Sequence, residues 1–96
     1  MVLTEEEVKQ NLEDSDGWET EGEKWISKTY ELPSFPKAVQ FIQSLAEIAE
    51  DRQHHPYIVL DYKNVTVKLS THDQGGLTQK DFESAHAYDR TRKKYS

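Results

Sequence analysis

Three of the four histidines in this 96-residue chain, His54, His55 and His72, flank a single stretch of alternating apolar residues. An imidazole, with an unperturbed pKa of about 6.5, exchanges a proton near neutrality, and its neutral ring accepts on one nitrogen while donating from the other. Two imidazoles facing one substrate can perform the halves of a dehydration, one protonating the departing hydroxyl and the other removing the adjacent proton. That chemistry requires neither a metal nor an organic cofactor, and none is expected. A zinc site built from the three rings is disfavoured, because His54 and His55 are neighbours in an extended stretch and so point apart. The chain has no cysteine, which excludes thiolate nucleophiles and disulfides.

The elements that must position these rings can be read from pattern. Tyr57 to Tyr62 and Val65 to Ser70 form a hairpin-like pair about Lys63-Asn64, with Val65, Val67 and Leu69 alternating against Thr66, Lys68 and Ser70. In adjacent antiparallel strands, the residue before the outgoing strand and the residue after the returning one finish close together. His54 and His55 precede the first strand and His72 follows the second, so all three should gather at one end of a sheet. Upstream, Ala38, Phe41, Ile42, Leu45, Ile48, Ala49 and Arg52 recur every three or four residues, placing a helix over 35–52 with Ser34 as its cap. Pro56 ends any helix and biases His55 to an extended backbone.

Thr4 with Glu7 and Thr78 with Asp81 each have the form of a capping box, opening a helix at residue 5 and a final helix striped by Phe82, Ala85 and Tyr88. Trp18 to Thr20 and Lys24 to Leu32 read as two strands around Glu21-Gly22-Glu23, with Lys28 interrupting the apolar parity of the second. The order is α-β-β-α-β-β-α. The expected class is α+β, a four-stranded antiparallel sheet with helices on one face, in one domain spanning 1–96.

Plainer readings of the same residues stand beside the chemical one. A His pair at a helix end can cap carbonyls, and a loop residue such as His72 can be merely exposed. Glu50, four residues before His54, could reach its ring if the helix continues that far, or remain a surface acid. Asp81 has an ordinary explanation as a capping acid, one compatible with fixing the Gly75-Gly76 loop and thereby His72. His86 belongs to the last helix and should face solvent.

The stretches Glu50-Asp51-Arg52-Gln53-His54-His55-Pro56, Tyr62, Ser70-Thr71-His72-Asp73 and Gly76-Leu77-Thr78-Gln79-Lys80-Asp81 resemble the signature of the pterin-4a-carbinolamine dehydratases. The resemblance extends to Gly17-Trp18 and the helix from Phe35 to Ala49. It implies dehydration of a 4a-hydroxytetrahydropterin to the quinonoid dihydropterin, in recycling that serves aromatic amino acid hydroxylases. It also implies that His54 and His72 transfer protons and that His55 orients the pterin. Glu50, Asp81, Pro56, Tyr57 and Thr71 become binding or supporting residues. Animal members carry an acid and a Trp after His-His-Pro where this chain has Tyr57 and Ile58, which leaves the aromatic wall of the site unassigned. Family members are homodimers or homotetramers. The animal proteins also act as dimerisation cofactors of a homeodomain transcription factor, so a non-catalytic protein-binding scaffold is the rival reading.

Composition bounds the remainder. Eighteen acidic residues against twelve Lys plus Arg give a net charge of −6, which disfavours generic binding to nucleic acid. The basic run of Arg90, Arg92, Lys93 and Lys94 suits the end of a helix instead. No apolar run approaches the roughly 20 residues needed to span a bilayer. The segment Met1 to Glu7 lacks the sections of a secretion signal, so the cytoplasm is the expected location. A chain this small buries only about 60–65% of its unfolded surface, which favours self-association.

Overall fold

The structure is a computed structural model that describes residues 1–96. Helix α1 covers Glu5–Glu13, and the Thr4–Glu7 capping box forms, with Thr4 N–H donating to Glu7 Oε1 at 2.9 Å. Strands β1 (Glu19–Glu21) and β2 (Trp25–Glu31) follow, then α2 (Phe35–Arg52), β3 (Tyr57–Asp61), β4 (Asn64–Leu69) and α3 (Gln79–Arg92). Short 3-10 turns occupy His72–Gln74 and Lys93–Tyr95. The four strands form one antiparallel sheet in the order β1-β2-β4-β3, so the returning strand of the second hairpin lies centrally against β2.

Alternation along the strands decides which face is covered. Ile26 and Tyr30 of β2, Val65, Val67 and Leu69 of β4, and the half-buried Ile58 and Leu60 of β3 turn to one side. Ala38, Phe41, Leu45 and Ala49 of α2 and Phe82, Ala85 and Tyr88 of α3 close over that side. The opposite face, which carries Trp25, Thr29, Thr66, Lys68, Tyr57 and Val59, has no covering layer. The expected α+β architecture and element order are therefore present, with helices on a single face.

Lys28 sits at a core-facing position and still reaches a polar partner. Its stem runs beside the Tyr30 ring, 4.8 Å from ammonium to centroid, and Nζ donates to Asp89 Oδ1 at 2.9 Å. The same carboxylate accepts from the Tyr30 hydroxyl at 2.5 Å and from Trp18 Nε1 at 3.3 Å, tying β2 and the residue before β1 to α3. The break in strand parity is thus an amphipathic side chain with its charge satisfied at the rim of the core. Three sequence expectations shift here. Trp18 lies just outside β1 and is buried edge-on to Tyr30, because its ring belongs to the core. The second hairpin turns at Tyr62-Lys63, since Asp61 already pairs with Asn64, and Tyr62 takes a positive φ of 55°. His86 is half-buried and not solvent-facing, because α3 presents it to Ser15, whose Oγ lies 3.0 Å from Nε2.

Two phenols are held protonated by their surroundings. Burial pushes the Tyr88 hydroxyl up to about 12, and burial followed by the bond to Asp89 pushes Tyr30 further above the ordinary tyrosine range. Below pH of about 10 both states keep these protons and stability is unaffected. As pH rises beyond that, the unfolded chain ionises while the native one resists, so stability falls by about 1.4 kcal/mol per pH unit per tyrosine. Tyr88 Oη is also a buried polar atom with no hydrogen-bond partner. Replacing Tyr88 with Phe should therefore leave stability at pH 7 unchanged or raise it by about 1 kcal/mol, and should shrink the loss between pH 10 and 12. Urea melts at pH 7, 10 and 11 on both proteins check this. A drop of more than about 2 kcal/mol at pH 7 would contradict it.

Candidate active site

The C-terminus of α2 delivers the first two histidines. Gln53 adopts the left-handed conformation at φ 52°, which stops the helix, and the His54 N–H folds back onto the Ala49 carbonyl at 3.0 Å. This closing turn binds the His54 backbone to the last helical turn before Pro56 launches β3. Continuing the β3–β4 register past Tyr57 and Lys68 brings His55 level with Ser70 and His54 level with Thr71. The pleat then sends His54 and Thr71 toward the helices, and His55, Ser70 and His72 toward the uncovered face.

On the helix side waits Asp81, in the first turn of α3. Its carboxylate is fully buried and accepts from three donors. Thr78 N–H lies 2.9 Å from Oδ2, Thr71 Oγ1 lies 2.8 Å from the same oxygen, and His54 Nε2 lies 2.6 Å from Oδ1. Thr71 and Thr78 hydroxyls are also within 2.8 Å of each other. Because a carboxylate only accepts, His54 Nε2 must carry a hydrogen and the neutral ring must leave Nδ1 free as the basic atom. His54 is only 8% exposed, and its Nδ1 has no hydrogen-bond partner within the protein. Asp81 thus both caps α3, as its place in the sequence suggests, and orients His54.

His72 opens a four-residue excursion that is pinched shut by paired backbone bonds between Thr71 and Gly76. Gly75 takes φ 80° there, a conformation cheap only for glycine. The His72 ring is exposed, makes no hydrogen bond to protein, and stands edge-on to Trp25 with centroids 5.0 Å apart. His55 is exposed and its Nε2 lies 2.6 Å from Glu50 Oε2. Glu50 therefore serves His55, and the alternative of a reach to His54 is not realised. The left-handed residue at Gln53 turns His54 inward, away from the helix surface that carries Glu50. Pro56 is half-buried, and Tyr57 is 57% exposed on the open face.

The three imidazoles accordingly share one end of the sheet but divide between its faces: His54 on the helix side, His55 and His72 on the open side. A pocket on the open face is lined by Glu21, Trp25, Tyr57 and Lys68, with His72 packed against its Trp25. Pattern reading singled out Thr78 as a helix cap but had no means to single out Trp25. The parity of Trp25 opposite Ile26 is visible, but its level relative to His72 depends on which strand lies beside β2.

Sheet, helices and a carboxylate-oriented imidazole at a sheet end define a small α+β protein equipped for proton transfer. The family pattern described as pterin 4 alpha carbinolamine dehydratase matches residues 1–91. An inferred pterin-4-alpha-carbinolamine dehydratase of Roseiflexus sp. (strain RS-1) is 46% identical over 87 residues, 91% of this chain and 92% of that protein. One from Sulfolobus acidocaldarius is 40% identical over 85 residues, covering 88% of this chain and 92% of its own. The crystal structure of a transcriptional coactivator/pterin dehydratase from Brucella melitensis superposes with a TM-score of 0.91 at 31% identity, covering 96% of this chain and 99% of that one. The chain belongs to the pterin-4a-carbinolamine dehydratase family.

Exchanging Asp81 for Asn keeps the size of the side chain but removes the charge and one acceptor oxygen. Stability should fall by about 1–3 kcal/mol, read from urea melts, because three donors then share a single carbonyl oxygen. Nitrogen-15 NMR of the neutral His54 ring should show protonation at Nε2 in the wild type and a mixture of tautomers in Asp81→Asn. Identical tautomers in the two proteins would remove Asp81 as the orienting group.

Proposed function

We propose that the protein dehydrates 4a-hydroxytetrahydropterins, with His54 and His72 as the proton-transfer pair. The observation that carries this reading is the buried Asp81–His54 contact, which fixes one ring nitrogen as donor and frees the other as base. In the reaction, His54 Nδ1 takes the proton from N5 and the N5–C4a double bond forms. The C4a–oxygen bond breaks, and the hydroxyl leaves as water with a proton from His72, which no carboxylate holds. Solvent then returns His54 and His72 to their starting states. His55, steadied by Glu50, contributes to binding and orientation, with Pro56, Tyr57 and Thr71 shaping the approach. The product is the quinonoid dihydropterin, which an aromatic amino acid hydroxylase cycle would return to the tetrahydro form.

Assembly belongs to the same proposal. The outer edge of β3 has no strand beside it, and Tyr57 and Val59 are exposed there with only Asp61 as a nearby charge on the strand. Edges of this kind accept another strand unless blunted by charge or a bulge. We expect a homodimer or homotetramer in the cytoplasm. No helix is long and apolar enough to cross a membrane.

Replacing His54 or His72 by Ala should each lower kcat/KM by about 10²–10⁴-fold in a 4a-hydroxypterin turnover assay. His72→Ala should keep fold and mass in solution, whereas His54→Ala should also lower stability, because the buried Asp81 loses a donor. Replacing His55 should chiefly raise KM. Turnover should decline on acidification as the base imidazole becomes charged, so a flat rate between about pH 5 and 8 would argue against imidazole chemistry. A folded wild type without turnover would favour the scaffold reading. The Brucella melitensis neighbour, whose description joins coactivator to dehydratase, keeps that reading in contention.

A further inference from the structure

We propose that Trp25 is the aromatic wall against which the flat substrate lies. This rests on the dehydratase reading above and extends it to a residue outside the histidine motif. Trp25 begins β2 on the uncovered face, half-buried, with its ring edge-on to His72 at 5.0 Å and an interplanar angle of 70°. One side of the indole therefore backs His72 while the remainder borders the pocket of about 360 Å³ shared with Tyr57, Lys68 and Glu21.

The rest of that pocket is built for a planar ring bearing polar edges. Lys68 Nζ is 2.8 Å from Glu21 Oε1 and lies 5.8 Å from the Tyr57 ring centroid, so a charge pair spans the space between the two aromatics. Across the sheet, Tyr57 pairs with Lys68 and Trp25 with Glu21, which holds all four side chains on one face at the histidine end. A half-buried indole contacting a candidate catalytic ring and lining a concave pocket with both aromatic and charged walls is placed for a heteroaromatic ligand. Its packing on the core is not the reason for its position, since Ile26 takes that role from the opposite face.

The test uses the intact protein, its Trp25→Phe and Trp25→Ala variants, and a stable 7,8-dihydropterin as the binding probe. Trp25→Ala should raise KM for the 4a-hydroxypterin by about tenfold while kcat changes by no more than about threefold, and Trp25→Phe should recover most of the loss. In proton–nitrogen NMR spectra the chain should show two indole signals, from Trp18 and Trp25. Adding the dihydropterin should shift the Trp25 signal and leave that of the buried Trp18 in place. A fall in kcat with unchanged KM in Trp25→Ala would instead assign the indole to support of His72 alone and overturn the proposal. So would an unmoved Trp25 signal. If the wild type gives no turnover, the dehydratase reading fails while the NMR titration still decides whether Trp25 receives a pterin. Thermal melts of the variants separate lost binding from lost fold, and Trp25→Phe preserves the test should Trp25→Ala prove unstable.

Discussion

A single buried carboxylate organises the end of this molecule where chemistry can occur. Asp81 has no exposed surface, and an uncompensated charge in that position would be severely destabilising. Its three donors come from three separate parts of the chain: the second residue after α2, the second residue after β4, and the cap of α3. Satisfying Asp81 therefore requires that these segments meet in one arrangement. The same bonds that make the charge tolerable fix the tautomer of His54 and pin the start of the loop that carries His72.

This economy explains why the site needs so few residues. The helix cap and the imidazole orienter are one side chain, and the loop anchor Thr71 shares its oxygen. By contrast, the Glu50–His55 pair is exposed on both sides and contributes little to stability, so its value lies in holding a ring at the entrance. Asp89 provides a second instance at the far rim of the core, collecting Trp18, Lys28 and Tyr30 on α3. That cluster fastens the helix layer to β2 and leaves the histidine end free of competing demands.

The division of the imidazoles between two faces also bears on how a substrate enters. His54 presents its free nitrogen from the helix side, whereas His72, Trp25 and Tyr57 border the uncovered face. A planar molecule reaching both must lie at the sheet's end, where the strands stop and the covering helices have begun. The same fold occurs, at 20% identity and a TM-score of 0.68, in a pterin dehydratase-like protein described as a RuBisCO assembly factor of the alpha-carboxysome.

Much of the framework was legible without coordinates. Helical spacing set α2 at 35–52, Thr4 and Thr78 marked two helix starts, and antiparallel return brought His72 to the end of the sheet occupied by His54 and His55. These are local signals, since caps and periodicity act within a few residues of where they are read. The partners of each ring were not legible. Glu50 meets His55 because one left-handed residue, Gln53, redirects the chain, and Asp81 meets His54 across 27 positions. Trp25 meets His72 only because β4 lies beside β2. The sequence determined the elements and the set of groups able to move protons. The packing of strands and helices decided which carboxylate faces which imidazole, because such contacts depend on pairing order and backbone handedness across distant segments.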